Sequence, residues 1–213
     1  MPTLEKLLHA TASRHQRLCP RQVLGVRMGI VAARLLHLAL PQADKRLFTF
    51  METDGCAADG VSVATGCWVG RRTMRIMDYG KVAATFVDTQ TNQAIRIYPH
   101  PESRHRAQGV VPDAPSHWHA QLAAYQIIPD DELLVIQPVT LSVSLEEIMG
   151  RPGVRTTCCR CGEEIINNRE VWVNNECLCR ACAGNAYYSL DTNTANPQPI
   201  AKIVCDAPED GKR

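Results

Sequence analysis

The sequence predicts an α+β core followed by a small cysteine-rich module. Two observations predict the core: apolar residues at helical spacing before residue 41, and short strand-like segments between residues 47 and 98. A third observation predicts the module, because four cysteines form the pairs Cys158-x-x-Cys161 and Cys179-x-x-Cys182. A chain of 213 residues is long enough for one core of about 150 residues and a small appended domain.

The core is predicted to begin with two helices. Residues 3–10 and 22–40 carry apolar side chains at helical spacing, and Pro41 is expected to end the second helix. Residues 47–53 are typical of a strand. Residues 56–65 are small and apolar, which favours a buried helix.

Strands are predicted to follow over residues 73–77, 82–87 and 94–98, with a polar hairpin connection between the last two. The stretch 99–116 is rich in proline, histidine and charge, so it is expected to be a long loop. A helix over 118–127, a turn at Pro129 and a strand over 134–143 complete the predicted core.

The domain boundaries follow from the residues after that strand. Ser144 is expected to cap a short helix that ends near Gly150, and Pro152-Gly153 mark the boundary. The predicted domains are a core over 1–150, a finger over 151–190 and a flexible tail over 191–213 that contains Cys205.

The two cysteine pairs have the spacing of a structural zinc site, because 17 residues separate them and each pair can form a tight turn that directs two sulfurs to one point. Four thiolates satisfy tetrahedral Zn²⁺. The alternatives are two disulfides, or buried thiols that are close only in sequence. Cys159 and Cys177 adjoin the pairs and could replace a ligand if the register shifts. We expect three aromatic residues, Trp172, Tyr187 and Tyr188, to form the small core of the finger.

Composition restricts the class of protein. Lys and Arg number 23 against 22 Asp and Glu, so no global basic field favours nucleic acid as a partner. Ten cysteines suit a disulfide scaffold only in a short secreted protein, and this chain is longer and shows no signal peptide, which favours a reducing cytoplasm. The longest apolar stretch, 31–40, contains Arg34 and His37 and is too short to span a bilayer, so no membrane association is expected.

Three further cysteines, Cys19, Cys56 and Cys67, lie at predicted ends of helices and strands, where sites are often built. The dipole of a helix stabilises a thiolate at its N-terminus, which suits Cys56 as a metal ligand or a nucleophile. Free cysteine is also among the most buried residue types. Plain packing therefore stays open as the alternative.

Four motifs between residues 12 and 98 together resemble the family of the E subunit of formylmethanofuran dehydrogenase. These motifs are His15-x-x-x-Cys19-Pro20, Glu52-Thr-Asp54-x-Cys56-x-x-Asp59, Thr65-Gly66-Cys67 and Asp78-Tyr79-Gly80-Lys81. The Cys-x-x-Cys-Gly-Glu and Leu-Cys-x-x-Cys segments are similar to the zinc finger that some members carry after the core.

The resemblance implies an α+β core, a C-terminal treble-clef zinc finger, a homodimer, and a metal near the core His and Cys residues. The implied ligands are His15, Cys19 and Cys56, with Cys67 as a further candidate. These soft ligands favour Zn²⁺ without fixing the identity of this second metal. Arg17 stands where the family has a second histidine, and arginine stays protonated and does not bind a metal.

Three functions remain as hypotheses. The favoured one is a metal-binding accessory protein whose finger mediates dimer or partner contacts, with a partner in a redox or molybdenum/tungsten enzyme system implied by the family name. The second is a metal- or cysteine-dependent enzyme with Cys56, Asp59 and Lys81 as catalytic candidates, and Lys81 is also a candidate for binding an anion. The third is a zinc-finger regulator that binds nucleic acid or senses a metal. Glutamates offset the arginines of the finger, which disfavours nucleic acid.

Overall fold

The computed structural model describes residues 2–15 and 17–189, without the side chain of His15. The chain divides into two units, and the second unit begins at Val143, ahead of the boundary predicted at residue 150. The predicted tail over 191–213, including Cys205, lies outside the described residues.

The first unit contains a five-stranded mixed sheet. Its strands are β1 (Leu47–Met51), β2 (Met74–Ile76), β3 (Ala84–Asp88), β4 (Ala94–Pro99) and β5 (Leu134–Pro138). Their order is β2-β1-β3-β4-β5, in which β1 and β2 are parallel and the other neighbours are antiparallel. Every residue of β1 and β3 is buried, so these strands form the centre of the sheet.

Six helices accompany the sheet in the described part of this unit. They are α1 (Leu4–His15), α2 (Pro20–Leu35), α3 (Cys56–Thr65), α4 (Ser103–Val110), α5 (His117–Ala124) and α6 (Asp130–Leu133). None of the described helices has the length and apolar character that a bilayer crossing requires. The predicted α+β class is confirmed, and the sheet, which the sequence predicted to be antiparallel or mixed, is mixed.

Helices α2 and α3 pack against each other at two glycines. A Cβ on Gly25 would lie 2.2 Å from the carbonyl oxygen of Ala57, and a Cβ on Gly60 would lie 2.3 Å from that of Gln22. Real Cβ atoms essentially never approach closer than 3.0 Å, so the observed contact requires glycine at both positions. The contact aligns the first turns of the two helices.

The structure differs from the sequence predictions at the end of α2. The helix ends at Leu35 rather than at residue 40. The backbone N–H of Leu36 donates to Ala32 O and that of Leu38 donates to Ala33 O, while His37 adopts a left-handed φ of 53°. The reversal at His37 ends the helix before Pro41 is reached.

The predicted loop over 99–116 is wrong, because it contains α4. Only Ser103 and Ala107 of this helix are buried, so its sequence shows almost no apolar periodicity.

The second unit consists of short elements. They are α7 (Leu145–Met149), β6 (Arg155–Thr157), β7 (Glu164–Ile166), β8 (Val171–Val173), β9 (Glu176–Leu178) and a π-helical turn, Ala181–Asn185. Strands β6 and β7 pair as one hairpin, and β8 and β9 pair as another. Ser144 caps α7 as predicted, since its hydroxyl accepts from the backbone N–H of Glu147 at 3.2 Å.

The predicted aromatic core of the second unit is wrong. Trp172 and Tyr188 are about half exposed and Tyr187 is almost fully exposed. Among the described residues, the buried apolar side chains of this unit are instead Cys158, Ile165, Cys177 and Leu178, and two of the four are cysteines.

Candidate metal centre

Four thiols of the second unit converge. The sulfurs of Cys158, Cys161, Cys179 and Cys182 all lie within 4.8 Å of one another. The first two lie in the turn between β6 and β7, and the other two lie where β9 leads into the π-helical turn. The hairpins thus bring together two pairs that are far apart in sequence.

Backbone hydrogen bonds shape the turn of the first pair. The N–H of Gly162 donates to Cys158 O at 2.9 Å, and the N–H of Cys158 donates to Glu163 O at 2.9 Å. Gly162 has a φ of 76°, a left-handed conformation that glycine adopts without strain. In the second pair, the N–H of Ala183 donates to Cys179 O at 2.9 Å.

Backbone N–H groups also point at the sulfurs. The N–H of Cys179 lies 3.2 Å from the sulfur of Cys158, and that of Cys182 lies 3.4 Å from the sulfur of Cys179. Burial disfavours the thiolate of Cys158, but hydrogen bonds from the backbone of Cys161, Cys179 and Arg160 outweigh burial and lower its pKa to about 6. The site therefore stabilises a thiolate at Cys158.

The donor set fits a tetrahedral metal ion. The sulfurs of Cys161 and Cys179 are 3.9 Å apart, close to the ~3.8 Å edge of a tetrahedron with metal–sulfur bonds of about 2.3 Å. Burial, followed by the neighbouring thiols, raises the pKa of Cys182. Four thiolates at this spacing repel one another, so a cation is needed to hold them all deprotonated.

The neighbouring cysteines lie outside this group of four. The N–H of Cys159 donates to Cys177 O at 2.8 Å, which joins the first turn to β9. Cys177 is buried, with its sulfur 3.5 Å from the hydroxyl of Thr156. The four sulfurs that converge are those of the two Cys-x-x-Cys pairs.

A second pair of thiols meets in the first unit. Cys19 immediately precedes α2, where its backbone N–H donates to the side chain of Gln22 at 2.8 Å. Cys56 is the first residue of α3. The aligned first turns of these helices place the two thiols near enough for Cys19 to raise the pKa of Cys56.

The environment of Cys56 differs from the expectation of a stabilised thiolate. Burial, followed by the neighbouring Cys19 thiol, raises the pKa of Cys56, and these effects outweigh the hydrogen bond to its sulfur from its own backbone. The charge of Asp59 acts in the same direction, and Asp59 lies 3.8 Å from Arg14. The thiol of Cys56 is therefore protonated unless a cation displaces its proton.

The structure does not bring Cys67 to this pair. Cys56 and Cys67 lie at opposite ends of α3, a helix of 10 residues that is about 15 Å long. Cys67 is fully buried, where it accepts from Gln42 Nε2 at 3.1 Å and contacts Leu47 O at 3.3 Å. Its role in the structure is packing and hydrogen bonding.

Two other residues that the sequence suggested for the core site, His15 and Lys81, are not shown beside the Cys19–Cys56 pair. The side chain of His15 lies outside the described residues, although its backbone ends α1. Lys81 lies in the wall of a cavity that neither Cys19 nor Cys56 lines.

Comparison with known proteins adds three findings. The model of the family described as "FmdE, Molybdenum formylmethanofuran dehydrogenase operon" matches residues 14–135. A "Probable S-adenosyl-L-methionine-binding protein" of Archaeoglobus fulgidus is 27% identical over 210 residues, and the match covers 86% of this chain and 54% of that protein. The chain thus spans about half the length of this curated relative.

The third finding concerns a solved structure. A protein from Syntrophus aciditrophicus, described as "tungsten formylmethanofuran dehydrogenase subunit e (fmde)-like", is 18% identical and superposes with a TM-score of 0.52. The match covers 88% of this chain and 96% of that chain. At this level of identity the match supports a shared fold.

Proposed function

This chain belongs to the FmdE family, as its motifs predicted, and from that premise we propose that it is a metal-binding accessory protein with two metal sites. The first site is a structural zinc ion in a treble-clef finger of the second unit. The second site is a metal ion at the Cys19–Cys56 pair of the first unit.

The single observation that carries the proposal is the convergence of Cys158, Cys161, Cys179 and Cys182 within 4.8 Å. An all-sulfur tetrahedral set is typical of structural zinc. Bound there, zinc would cross-link the two hairpins. A treble clef is consistent with a turn between strands that supplies one pair of ligands and a helical turn that supplies the other.

The core site is supported by the aligned first turns of α2 and α3 and by the effect of Cys19 on the pKa of Cys56. His15 precedes them at the end of α1, and its family motif makes it the proposed third ligand. Three protein ligands would leave a position open for a partner's ligand or a substrate. Cys67 is not part of this proposal, because α3 separates it from the pair.

Partners and compartment follow from the family and the thiols. We propose a homodimer, which light scattering would detect as twice the mass of 23.6 kDa. The description of the family supports a role beside a molybdenum or tungsten enzyme system. Both proposed metal sites need reduced cysteines, which favours a reducing compartment such as the cytoplasm.

Metal content tests both sites together. We expect two metal ions per chain in the intact protein, measured by plasma mass spectrometry. The double variant Cys19→Ser, Cys56→Ser should retain only the ion of the finger. The double variant Cys179→Ser, Cys182→Ser should lose the ion of the finger. The matched control is Cys67→Ser, which alters a buried thiol of the same unit away from the pair and should retain both ions.

Two results would contradict the proposal. One metal ion in the intact protein, kept by the Cys19→Ser, Cys56→Ser variant, would leave the finger as the only site. A finger ion other than zinc would overturn the assignment of that metal.

The alternatives have weaker support. An enzyme with Cys56 as nucleophile is disfavoured, because burial and Cys19 raise the pKa of this thiol. A nucleic-acid regulator is disfavoured because glutamates pair with arginines of the finger, as Glu164 does with Arg155 at 2.8 Å. The ligand in the name of the archaeal relative is not carried over, since the chain spans about half of that protein.

A further inference from the structure

A cavity of about 620 Å³ lies in the first unit, on the side of the sheet where β4 ends. Four segments form its wall: the start of α2, the chain that enters β3, the end of β4 with the residues that lead into α4, and the face of α5. Its volume falls in the range of about 300–1,000 Å³ typical of small-molecule sites.

Cationic side chains line this cavity. Arg21, Lys81, Arg96 and Arg104 contribute to its wall, and no aspartate or glutamate is among the described residues that line it. The chain as a whole carries a net charge of only +1, so the positive charge is a local feature of this surface. A concave wall of one sign concentrates ions of the opposite sign.

Arg96 differs from the other three cations because its charge is already compensated. Its Nε and Nη2 donate to the two carboxylate oxygens of Glu52 at 2.6 and 2.7 Å, and its guanidinium stacks over the Tyr98 ring at 4.8 Å. Arg96 is thus a fixed part of the wall.

The other three cations are available to a ligand. In the part of the chain that the structure describes, no carboxylate lies within ion-pair distance of Arg21, Lys81 or Arg104. All three side chains are exposed at the cavity mouth. Arginine and lysine recognise carboxylate and phosphate groups through charge-assisted hydrogen bonds.

The floor of the cavity is apolar. Leu24, Ala83 and Tyr125 line it and are at most 5% exposed. Burial raises the pKa of the Tyr125 hydroxyl, so the tyrosine presents a neutral ring to the cavity. A ligand that fits this arrangement has an apolar body that contacts the floor and anionic groups that face the cations at the mouth.

We propose that this cavity binds a small molecule that carries carboxylate or phosphate groups on an apolar or aromatic body. Arg21, Lys81 and Arg104 bind the anionic groups, and Leu24 and Tyr125 contact the body. The proposal depends on the cavity alone and not on either metal ion.

Titration calorimetry on the full-length, metal-loaded protein tests the proposal with two probes, naphthyl phosphate and naphthalene dicarboxylate. We expect saturable binding of at least one probe, and the tighter of the two identifies the preferred anionic group. The double variant Lys81→Gln, Arg104→Gln should weaken binding about 100-fold, since each charge-assisted contact contributes about tenfold.

A charge-matched control removes the same two positive charges elsewhere in the unit. Lys6 and Lys45 are exposed and do not line the cavity, so Lys6→Gln, Lys45→Gln should leave the affinity within about twofold. The exchange Lys81→Arg, Arg104→Lys keeps the charge and should bind within about tenfold of the wild type.

Three results would overturn the proposal. The first is a failure of both probes to saturate the protein, and the second is a control variant that weakens binding as much as the cavity variant does. The third is inorganic phosphate that binds as tightly as naphthyl phosphate, which would remove the role of the apolar floor. Metal content is measured separately, so failure here is distinguishable from failure of the metal sites.

Discussion

The contact between α2 and α3 can be tested by adding a single methyl group. The substitution Gly25→Ala places a Cβ 2.2 Å from the carbonyl oxygen of Ala57 and 2.9 Å from the backbone nitrogen of Val61. Both neighbours are backbone atoms inside a helix, so neither can rotate away. The helices must separate to accept the methyl group.

The cost is set by two opposing effects. Overpacking of a close-packed interior costs typically 1–3 kcal/mol, and the upper end, about 3 kcal/mol, applies here because the clash is with backbone. Alanine is preferred over glycine inside a helix by about 1 kcal/mol. We therefore expect Gly25→Ala to lower the free energy of unfolding by about 2 kcal/mol.

Urea denaturation followed by circular dichroism measures this free energy. The matched control is Gly109→Ala in α4, where no described atom lies within 4 Å of the new Cβ. Only the helix preference acts at this exposed position, so the control should be more stable than the wild type by up to about 1 kcal/mol. The two substitutions thus change stability in opposite directions.

A Gly25→Ala protein as stable as the Gly109→Ala protein would refute the reasoning. That result would mean that α2 and α3 do not approach each other as closely as described. It would also remove the account of how Cys19 is brought to Cys56.

Three further predictions concern ion pairs and the metal. Arg27 is buried and donates to Asp130 and two backbone carbonyls, so Arg27→Lys should lower the unfolding free energy by about 3 kcal/mol in urea. Arg46 lowers the pKa of the buried Asp88 far below its ordinary range, so Asp88→Asn should cost about 2 kcal/mol at pH 7. Denaturation at decreasing pH should show this difference shrinking below about pH 4, because the Asp88 carboxylate of the unfolded chain becomes protonated there while that of the folded chain stays ionised. Removal of metal with a chelator should make residues 143–189 susceptible to protease, detected by mass spectrometry of the fragments, while the first unit stays resistant.

Some elements can be predicted because local chemistry determines them. Helix α3 begins and ends where its small apolar residues indicate, and Gly66 ends it in a left-handed conformation with φ of 73°. The convergence of the four thiols can be predicted from the spacing of the two Cys-x-x-Cys pairs, because each pair forms a tight turn that directs two sulfurs to one point.

Other features depend on tertiary structure. The end of α2 results from the left-handed conformation of His37, which no helix-stop signal of the sequence indicates. Helix α4 buries only Ser103 and Ala107 and so lacks a visible apolar face. The cavity is formed by four separate segments, and only the folded sheet brings Arg96 and Arg104 to the same wall.

The separation of Cys56 from Cys67, unlike these tertiary features, can be predicted from the sequence. The small apolar residues 56–65 themselves predict a helix, and its length of about 15 Å separates the two thiols. Nearness in the sequence favours a common site for these cysteines, and the predicted helix does not allow one.

The sulfur-rich interior of the second unit implies that its folding depends on the proposed metal ion. Of the four side chains in the apolar core of its described residues, Cys158 is a proposed metal ligand, and only Ile165 and Leu178 are aliphatic. So little apolar surface gives this unit little stability of its own. By mass action, each tenfold rise in the free ion above its dissociation constant adds about 1.4 kcal/mol to the folded form. For the metal-binding finger proposed above, the concentration of free metal in the cell would set the fraction of molecules in which the second unit is folded.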